Sequence, residues 1–522
     1  MLCSPSVCGN APYVTPLDTR AIKTHSKKSD VQKGTGDALN RFIQIFIFGV
    51  TALLFLSGCT GDNDDSTQAA IPTKTWVETD DILDLCIYHI DTLNPLKTSA
   101  KHNAEVLSIL YDSLFIANAD FSATQSLAEQ YQISSDGMSV TIKIRQGVRF
   151  SDNRLLTATD VAFSVNTIVS SNGYYKKRLG ALKEAKVFGD SVVITLHHPV
   201  ENLVMLLDFP ILPGGADKME QTIVPGSSLY TLEKYNLNRE IHLKANHNHF
   251  SGITPSIENI VIHMVKDQKT AINMLESSRI DMLTGNAANL QENTFRKTLH
   301  YNAYPDCHFL FLGANNTSRE SLSTMVCEAV SCAIDRAQII DILGIDAEYA
   351  TLPIHPNAQA LHKNFASIKD GDPDGLLATD GWFDSDSDGV LDKQIEKKKY
   401  SLSFHLLLNN DNEKHKLIAM QIKEHLAEIG IKIMLHAHPF TRYQQEIRKQ
   451  SYDFYLAETD LLPNFDLKDL NLLIGSEANT SASKVIGIYF KNAHIMCDTR
   501  IEASNIQTLN PYKSIHYWSM AE

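Results

Sequence analysis

The sequence has no excess of positive charge and contains little cysteine. Its 522 residues include 47 Lys and Arg against 61 Asp and Glu, a formal net charge of −14. Proteins that bind nucleic acid neutralise phosphates with clustered Lys and Arg, so this balance argues against a nucleic-acid partner. Eight cysteines in so long a chain exclude a small disulfide scaffold. The 43% of hydrophobic and 21% of charged residues are typical of a folded globular protein.

The sequence also lacks the short motifs of several enzyme classes. It contains no G-x-S-x-G nucleophile elbow, no GxxxxGK[ST] phosphate-binding loop and no HExxH zinc helix. Histidines lie close together at His197/His198, His247/His249 and His436/His438, and two histidines at i and i+2 on a strand share a face and could bind zinc. Because a chain with 20 histidines forms such pairs by chance, we predict no catalytic residues, no metal and no cofactor.

The segment Asp384-Ser385-Asp386-Ser387-Asp388-Gly389 has the spacing of the first half of an EF-hand calcium loop. In such a loop a bidentate acid stands at the twelfth position, which here is Ile395, and Glu396 comes one place too late. We therefore predict an Asp-rich turn, with calcium binding as the alternative.

The N-terminal region is predicted to be a secretory signal. Residues 42–56 (FIQIFIFGVTALLFL) carry no charge and follow several Lys and Arg residues, but fifteen residues are too few for a membrane-spanning helix. The stretch ends in Leu56-Ser57-Gly58-Cys59, which resembles a bacterial lipobox, with a short signal anchor as the alternative. We expect residues 1–58 to be removed, Cys59 to be lipidated, and residues 59–74 to form a flexible tether.

The rest of the chain mixes helical and strand patterns. Leu83–Ile90 and Ile431–Leu435 read as strands, while Asn103–Leu114 has apolar residues at helical spacing. Glu413–Ile429 is predicted to be an amphipathic helix that ends at Gly430. Intermixed elements over this length predict an α/β or α+β fold with several lobes.

Six motifs in order resemble extracellular solute-binding proteins of family 5, which feed oligopeptides, dipeptides or nickel to bacterial ABC importers. The motifs are Leu93-Asn94-Pro95, Ser126–Glu129 with Ser134–Gly137, Ile144–Asp152 with Leu156–Val161, Ala333–Arg336, Gly381-Trp382 with Asp384–Gly389, and Ile429–Ile431. The resemblance extends over nearly all of the chain after about Asp84.

These motifs have ordinary structural interpretations as well. Thr157 and Asp160 are spaced as a capping box at a helix start. Asp335-Arg336 is predicted to form a structural ion pair or to end a helix turn. No catalytic role is needed for any of them.

The resemblance implies a bilobal periplasmic-binding-protein fold of type II, in its large three-domain variant. Residues 75–112 and 215–285 would form the core of lobe 1, residues 113–214 an inserted subdomain, and residues 286–522 lobe 2. Family members continue for several tens of residues beyond the position of Glu522. The resemblance therefore implies a chain truncated at its C-terminus, with the return to lobe 1 missing.

The resemblance also implies a function without a chemical step. The protein would capture oligopeptides between its two lobes and deliver them to an ABC permease in the inner membrane. It would act as a monomer in the periplasm or cell envelope, anchored to the membrane by its lipid. Nickel, haem or another small solute is the alternative ligand, and a non-functional truncated remnant or a secreted metalloenzyme are alternative interpretations.

The expected ligand site departs from the family pattern. Peptide-binding relatives carry a Gly-Trp after a Tyr-Asp strand, and then an Asp that holds the peptide's α-ammonium group. Here Tyr452-Asp453 is followed by FYLAETDLLPNF, without the Gly-Trp. A buried ammonium group needs a carboxylate partner, and Asp460, with Glu458 behind it, is the predicted anchor. Five further residues are predicted to line the cleft: Asn409, Asn410, His89, Asp91 and Tyr230.

Overall fold

The computed structural model describes residues 81–88, 92–218, 222–286, 295–315, 322–362, 371–466 and 485–521. The predicted signal, the lipidation site Cys59 and the tether lie outside the described residues. The same holds for His89 and Asp91.

The described chain alternates strands and helices, as the sequence predicts. Its strands are β1 (Ile82–Tyr88), β2 (Phe115–Ala117), β3 (Ala123–Gln125), β4 (Ala128–Ile133), β5 (Ser139–Ile144), β6 (Leu182–Phe188), β7 (Ser191–Leu196), β8 (Tyr230–Asn236), β9 (Glu240–Ala245), β10 (Asn259–Val265), β11 (Met282–Asn286), β12 (Leu299–Ala314), β13 (Ala347–Tyr349), β14 (Asp392–Ile395), β15 (Lys398–Ser401), β16 (Ser403–Asn409), β17 (Lys432–His438), β18 (Phe454–Asp460), β19 (Val485–Asp498), β20 (Ile501–Glu502) and β21 (Ser519–Met520).

The α-helices lie between the strands along the chain. They are α1 (Lys101–Leu107), α2 (Ala158–Ser170), α3 (Tyr174–Arg178), α4 (Gln268–Glu276), α5 (Thr324–Ala333), α6 (Arg336–Leu343), α7 (Gln359–His362), α8 (Pro373–Thr379), α9 (Glu413–Glu428) and α10 (Phe440–Arg448). The described 3₁₀ segments are Ser108–Leu110, Leu203–Leu206, Ala216–Lys218 and Pro511–Tyr517. Within the described residues, no helix combines the length and the apolar character that crossing a membrane requires.

Three larger sheets organise the fold. Sheet A has the strand order β1-β10-β9-β8, with β1 parallel to β10 and the other pairs antiparallel. Sheet B is an antiparallel sheet of order β4-β5-β7-β6. Sheet C has the order β11-β19-β12-β18-β16-β17, and β13 also pairs with β19. In sheet C, β16 runs parallel to both β17 and β18, whereas β12 runs antiparallel to β18 and β19.

Local signals in the sequence place the helix ends correctly. The backbone N–H and the Oγ1 hydroxyl of Thr157 both donate to the Asp160 carboxylate, at 2.9 and 3.0 Å, where α2 starts. The Asn412 side chain accepts hydrogen bonds from Lys414 and His415 at the start of α9. After α9, Gly430 adopts a φ of 73°, a left-handed conformation that glycine reaches without strain from a Cβ atom.

The two larger of four buried apolar clusters lie on these sheets. The first core contains residues of sheets A and B, among them Leu85, Val140 and Val165. The second core lies between sheet C and its helices, and the predicted apolar stripe of α9 contributes Ile418, Ile422 and Leu426 to it. Apolar burial of this kind contributes about 25 cal/mol for each Å² removed from water. The first core also includes Met282 and Ile495 of sheet C, so it connects that sheet to sheets A and B.

The end of the described chain packs against sheet A. Ile501, Tyr512, Ile515 and Trp518 belong to the same core as Leu85 of β1. These residues thus pack with the sheet assigned to lobe 1, although they fall in the range 286–522 predicted for lobe 2. Such contacts are long-range and leave no local pattern in the sequence.

Side-chain hydrogen bonds hold this last segment in place. The Asn510 side chain donates to the backbone carbonyl of Glu105 at 3.2 Å and to the Ser108 hydroxyl at 2.7 Å. The Thr508 hydroxyl donates to the carbonyl of Asn118 at 2.9 Å. These bonds connect the last described segment to the residues that follow β1.

We expect Gly226→Ala to destabilise the protein by about 1–3 kcal/mol, the usual cost of overpacking. A Cβ atom on Gly226 would lie 1.8 Å from the backbone carbonyl oxygen of Leu110, so one of the two segments must move. Urea unfolding of the purified variant measures the loss. Gly180→Ala is the matched control because its nearest neighbour would lie at 3.9 Å; equal stability of the two variants would contradict the prediction.

Candidate functional site

The candidate site lies at one edge of sheet C. Because β16, β17 and β18 are parallel, their carboxyl ends meet at the same edge, which is where α/β sheets commonly hold ligands. Asn409 is the last residue of β16 and His438 is the last residue of β17. Glu458 and Asp460 are the third-last and the last residue of β18. As residues i and i+2 of a strand, the two acids project from the same face.

His308 brings the two carboxylates together. It lies opposite Asp460 in the pairing of β12 with β18. Its Nδ1 atom is 2.7 Å from Oδ1 of Asp460, and its Nε2 atom is 3.3 Å from Oε2 of Glu458. The His308 side chain is 18% exposed, against 40% for Glu458 and 81% for Asp460. The acids are thus accessible to solvent, and the ring that joins them is largely covered.

The N-terminal end of α9 supports Glu458 from the other side. Nδ2 of Asn412 donates to Oε1 of Glu458 at 3.5 Å, and Nε2 of His415 lies 3.7 Å from Oε2 of Glu458. His415 is buried, and its two ring nitrogens have no hydrogen-bond partner among the described residues. The partial positive charge of the helix N-terminus also favours a carboxylate at this position.

The three charged groups keep each other ionised. Although burial opposes its charge, hydrogen bonds to Asp460 and Glu458 raise the pKa of His308 to about 9. The same bonds lower the pKa of both acids, and His415 lowers that of Glu458 further. At neutral pH the site therefore holds two carboxylates and one imidazolium ring.

A second group of charged residues, Lys101 and Glu105, lies on α1. The ammonium group of Lys101 is 3.8 Å from Oε1 of Glu105. Burial raises the pKa of Glu105, which is only 6% exposed, to about 7. The pKa of Lys101 is raised mainly by Glu105 and to a smaller extent by Asp306 of β12. The positive charge of Lys101 in turn lowers the pKa of Asp460. Lys101 therefore acts electrostatically on the candidate site.

The predicted residues Asn409 and Asn410 lie in the loop between β16 and α9, near the two acids. Asn409 uses its side chain to accept a hydrogen bond from the N–H of Asp411 at 3.0 Å, and the N–H of Asn410 donates to the carbonyl of His438. The residue of this loop that contacts Glu458 is Asn412. Asn409 and Asn410 thus shape the turn that brings Asn412 to the site.

The prediction that Tyr230 lines the cleft is wrong. Tyr230 is buried in the first core, and its hydroxyl donates to the carbonyl of Ile257 at 3.0 Å. Burial raises the pKa of this hydroxyl above its ordinary value. A ring held in this way stabilises sheet A and is not available to a ligand.

His308, His415 and Asn412 were missed because the sequence offers only partial signals for them. Asn412 could have been recognised as the cap of a strongly predicted helix. His308 has no local signal, since its partners Glu458 and Asp460 are 150 and 152 residues away in the chain. Only the pairing of β12 with β18 brings them together.

The Asp-rich turn is the one group of three possible metal ligands found among the described residues. The carboxylate oxygens of Asp384, Asp386 and Asp388 lie within 4.8 Å of one another, and all three residues are exposed. Lys399 forms an ion pair with Asp386 at 2.6 Å. Asp384 accepts hydrogen bonds from the N–H groups of Asp388 and Gly389, so Asp384 has its partners within the turn and Asp386 has one on β15.

Residues 123–479 match the model of the bacterial extracellular solute-binding proteins, family 5 (middle region). This match extends over more than half of the chain. The chain belongs to family 5 of the bacterial extracellular solute-binding proteins. Membership of an extracellular family places the protein in the periplasm or cell envelope, and the predicted mixed α/β fold is that of this family.

Individual relatives are distant. The oligopeptide-binding protein AppA of Bacillus subtilis (strain 168) is 24% identical over 424 residues, which are 77% of each chain. The glutathione-binding protein GsiB of Salmonella typhi is 26% identical over 274 residues, 50% of this chain and 52% of GsiB, so the chain spans about half the length of that relative. An ABC transporter substrate-binding protein from Sinorhizobium meliloti has a similar structure, with a TM-score of 0.60 and 15% identity, covering 84% of this chain and 100% of the other.

Proposed function

We propose that this protein captures peptides by their free amino end and delivers them to an ABC permease. The observation that carries the proposal is the pair of ionised, solvent-accessible carboxylates of Glu458 and Asp460 at the carboxyl edge of sheet C. A peptide α-ammonium group is a cation with three donors, and a carboxylate pair offers it charge and acceptors together.

The relatives support a peptide ligand. AppA is an oligopeptide-binding protein and GsiB a glutathione-binding protein, and both of these ligands contain amide-linked amino acids. In this proposal the peptide lies along the exposed end of β18 and uses main-chain hydrogen bonds, as in strand addition. The protein makes and breaks no covalent bond.

We further infer the predicted lobes and membrane attachment. Sheet A falls within residues 75–112 and 215–285, sheet B within 113–214, and sheet C almost wholly within 286–522, with β11 at the boundary. The lobes close on the ligand about β12 and β19, the long strands of sheet C. A lipid on Cys59 holds the protein at the membrane beside its permease, and it acts there as a monomer.

A thermal-shift panel tests the proposed ligand class. A random tetrapeptide library with free amino ends should raise the melting temperature by several degrees, because a ligand at about 100 times its Kd contributes ~2.7 kcal/mol. The N-acetylated library should give no shift, since acetylation removes the ammonium charge. Nickel chloride and haemin are tested in the same way. If either of them raises the melting temperature and neither peptide library does, the protein binds nickel or haem and not peptides.

A further inference from the structure

Both ring nitrogens of His308 contact a carboxylate. Nδ1 lies 2.7 Å from Asp460 and Nε2 lies 3.3 Å from Glu458. Neutral imidazole has one N–H group and one lone pair, whereas only the imidazolium form donates from both nitrogens. The geometry is therefore that of a cation held between two anions.

We propose that His308 is a built-in counter-ion that the ammonium group of a peptide replaces, so that ligand capture releases a proton from the His308 ring. This inference rests on the proposed function and deepens it. His308 would act as a specificity-determining residue, because a ligand without a cationic end has nothing to exchange for the proton.

The exchange balances in charge and protons. Before binding, two carboxylates and one imidazolium ring carry a net charge of −1. After binding, the ammonium group takes the place of the positive charge, the imidazolium N–H bond breaks, and the proton leaves to solvent while its electron pair stays on nitrogen. The site again carries −1. The neutral ring can still donate one hydrogen bond and accept one from the ammonium group.

The other groups around His308 favour its role as the exchanging cation. On β12, Asp306 lies two residues before His308, and on β19 the residue paired with His308 is Lys491. From β18 it faces Glu458 and Asp460, from α9 His415 stands behind Glu458, and from α1 Lys101 acts on Asp460. The two acids that bond the ring are the large influences that raise its pKa, to about 9, against the effect of burial.

The sign of the pH dependence follows from this arrangement. Ligand binding needs the deprotonated ring, and the protonated form dominates below a pKa of about 9. Affinity for a free amino end should therefore increase with pH, about tenfold per unit. Below about pH 7.5 most peptide amino groups are still protonated, so the ligand contributes little between about pH 5.5 and about pH 7.5. Glu105, with a pKa of about 7, titrates in this window, but it is present in both proteins, so the difference between wild type and His308→Gln reports on His308.

Fluorescence titration with the random tetrapeptide library tests the proposal. In the wild-type protein the apparent affinity should rise about 100-fold from about pH 5.5 to about pH 7.5. In His308→Gln it should be flat and, at about pH 7, about 100-fold tighter than wild type, because no proton must leave. An indicator dye in weakly buffered solution should report about one proton released per bound site in the wild type.

His300→Gln is the matched control, an exposed histidine on the same strand, and should behave as the wild type does. If the library binds without pH dependence or proton release and His308→Gln weakens binding, His308 only positions the acids and the inference fails alone. If the wild-type protein binds neither library at either pH, the proposed function fails and this inference fails with it.

Discussion

Replacement of Glu458 and Asp460 together by Gln and Asn is expected to weaken the binding of free-amino peptides by about 30- to 1,000-fold. Loss of a hydrogen-bonded charge partner in a binding site commonly costs about 2–5 kcal/mol, and the solvent exposure of Asp460 favours the lower part of that range. The amides keep the size of the side chains, so the change removes charge and leaves the shape of the site. Titration with the free-amino tetrapeptide library measures the loss.

The two single variants separate the roles of the acids. Glu458 is held by His308, Asn412 and His415, while Asp460 is bonded to His308 and is more exposed. We expect Asp460→Asn to cost more than Glu458→Gln, since the more exposed acid is better placed for the incoming ammonium group. Glu348→Gln, an exposed acid on β13, is the control for the loss of one negative charge. Unchanged affinity in the double variant would eliminate the carboxylate pair as the anchor.

Arg336→Met is expected to destabilise the protein by about 3–5 kcal/mol, because several buried carbonyls lose their donor at once. Arg336 is 8% exposed, and its guanidinium group donates to four backbone carbonyls, at distances between 2.8 and 3.2 Å. The acceptors are Ser331, Ile334, Ala350 and Gly487. Without the guanidinium group these buried carbonyls lose their donor, and each unsatisfied group costs about 1–3 kcal/mol.

Urea unfolding, followed by far-UV circular dichroism, measures this loss. Arg442→Met is the matched control, because Arg442 is exposed on α10 and surface substitutions stay within about 0.5 kcal/mol. Arg336→Lys should recover only part of the stability, since an ammonium group lacks the planar fork that reaches several carbonyls at once. A loss below about 1 kcal/mol for Arg336→Met would show that the carbonyls find other donors.

The A-I-D-R motif shows where a sequence pattern is right about a role and wrong about its partners. Asp335 and Arg336 are structural, as predicted, but they do not bond each other in that role. The Asp335 carboxylate caps α6 by accepting from the N–H of Gln338 at 2.9 Å. Arg336 reaches Gly487 on β19 and Ala350 just after β13. A capping bond is visible over three residues, whereas a contact over about 150 residues has no local signature.

The candidate site also contains some residues that the sequence indicates and others that only the fold brings there. Glu458 and Asp460 could be predicted from the sequence through the resemblance, because they follow Tyr452-Asp453, where the family places the acid that holds a peptide ammonium group. Their ionised state and the counter-ion His308 could not, because both depend on the register of β12 against β18. Tyr230 was misjudged because an aromatic residue at a strand start packs in a core as readily as it lines a cleft.

The scarcity of positive charge, the cap of α2, the end of α9 at Gly430 and the ordered motifs were determined by the sequence alone, since each depends on composition or on residues a few positions apart. The tertiary structure alone decided that Tyr512 and Trp518 return to the core of sheet A and that one imidazolium ring joins two carboxylates. Such contacts form when chain segments hundreds of residues apart are brought together by the burial of apolar surface, a force without direction. The sequence encodes them only through the whole fold.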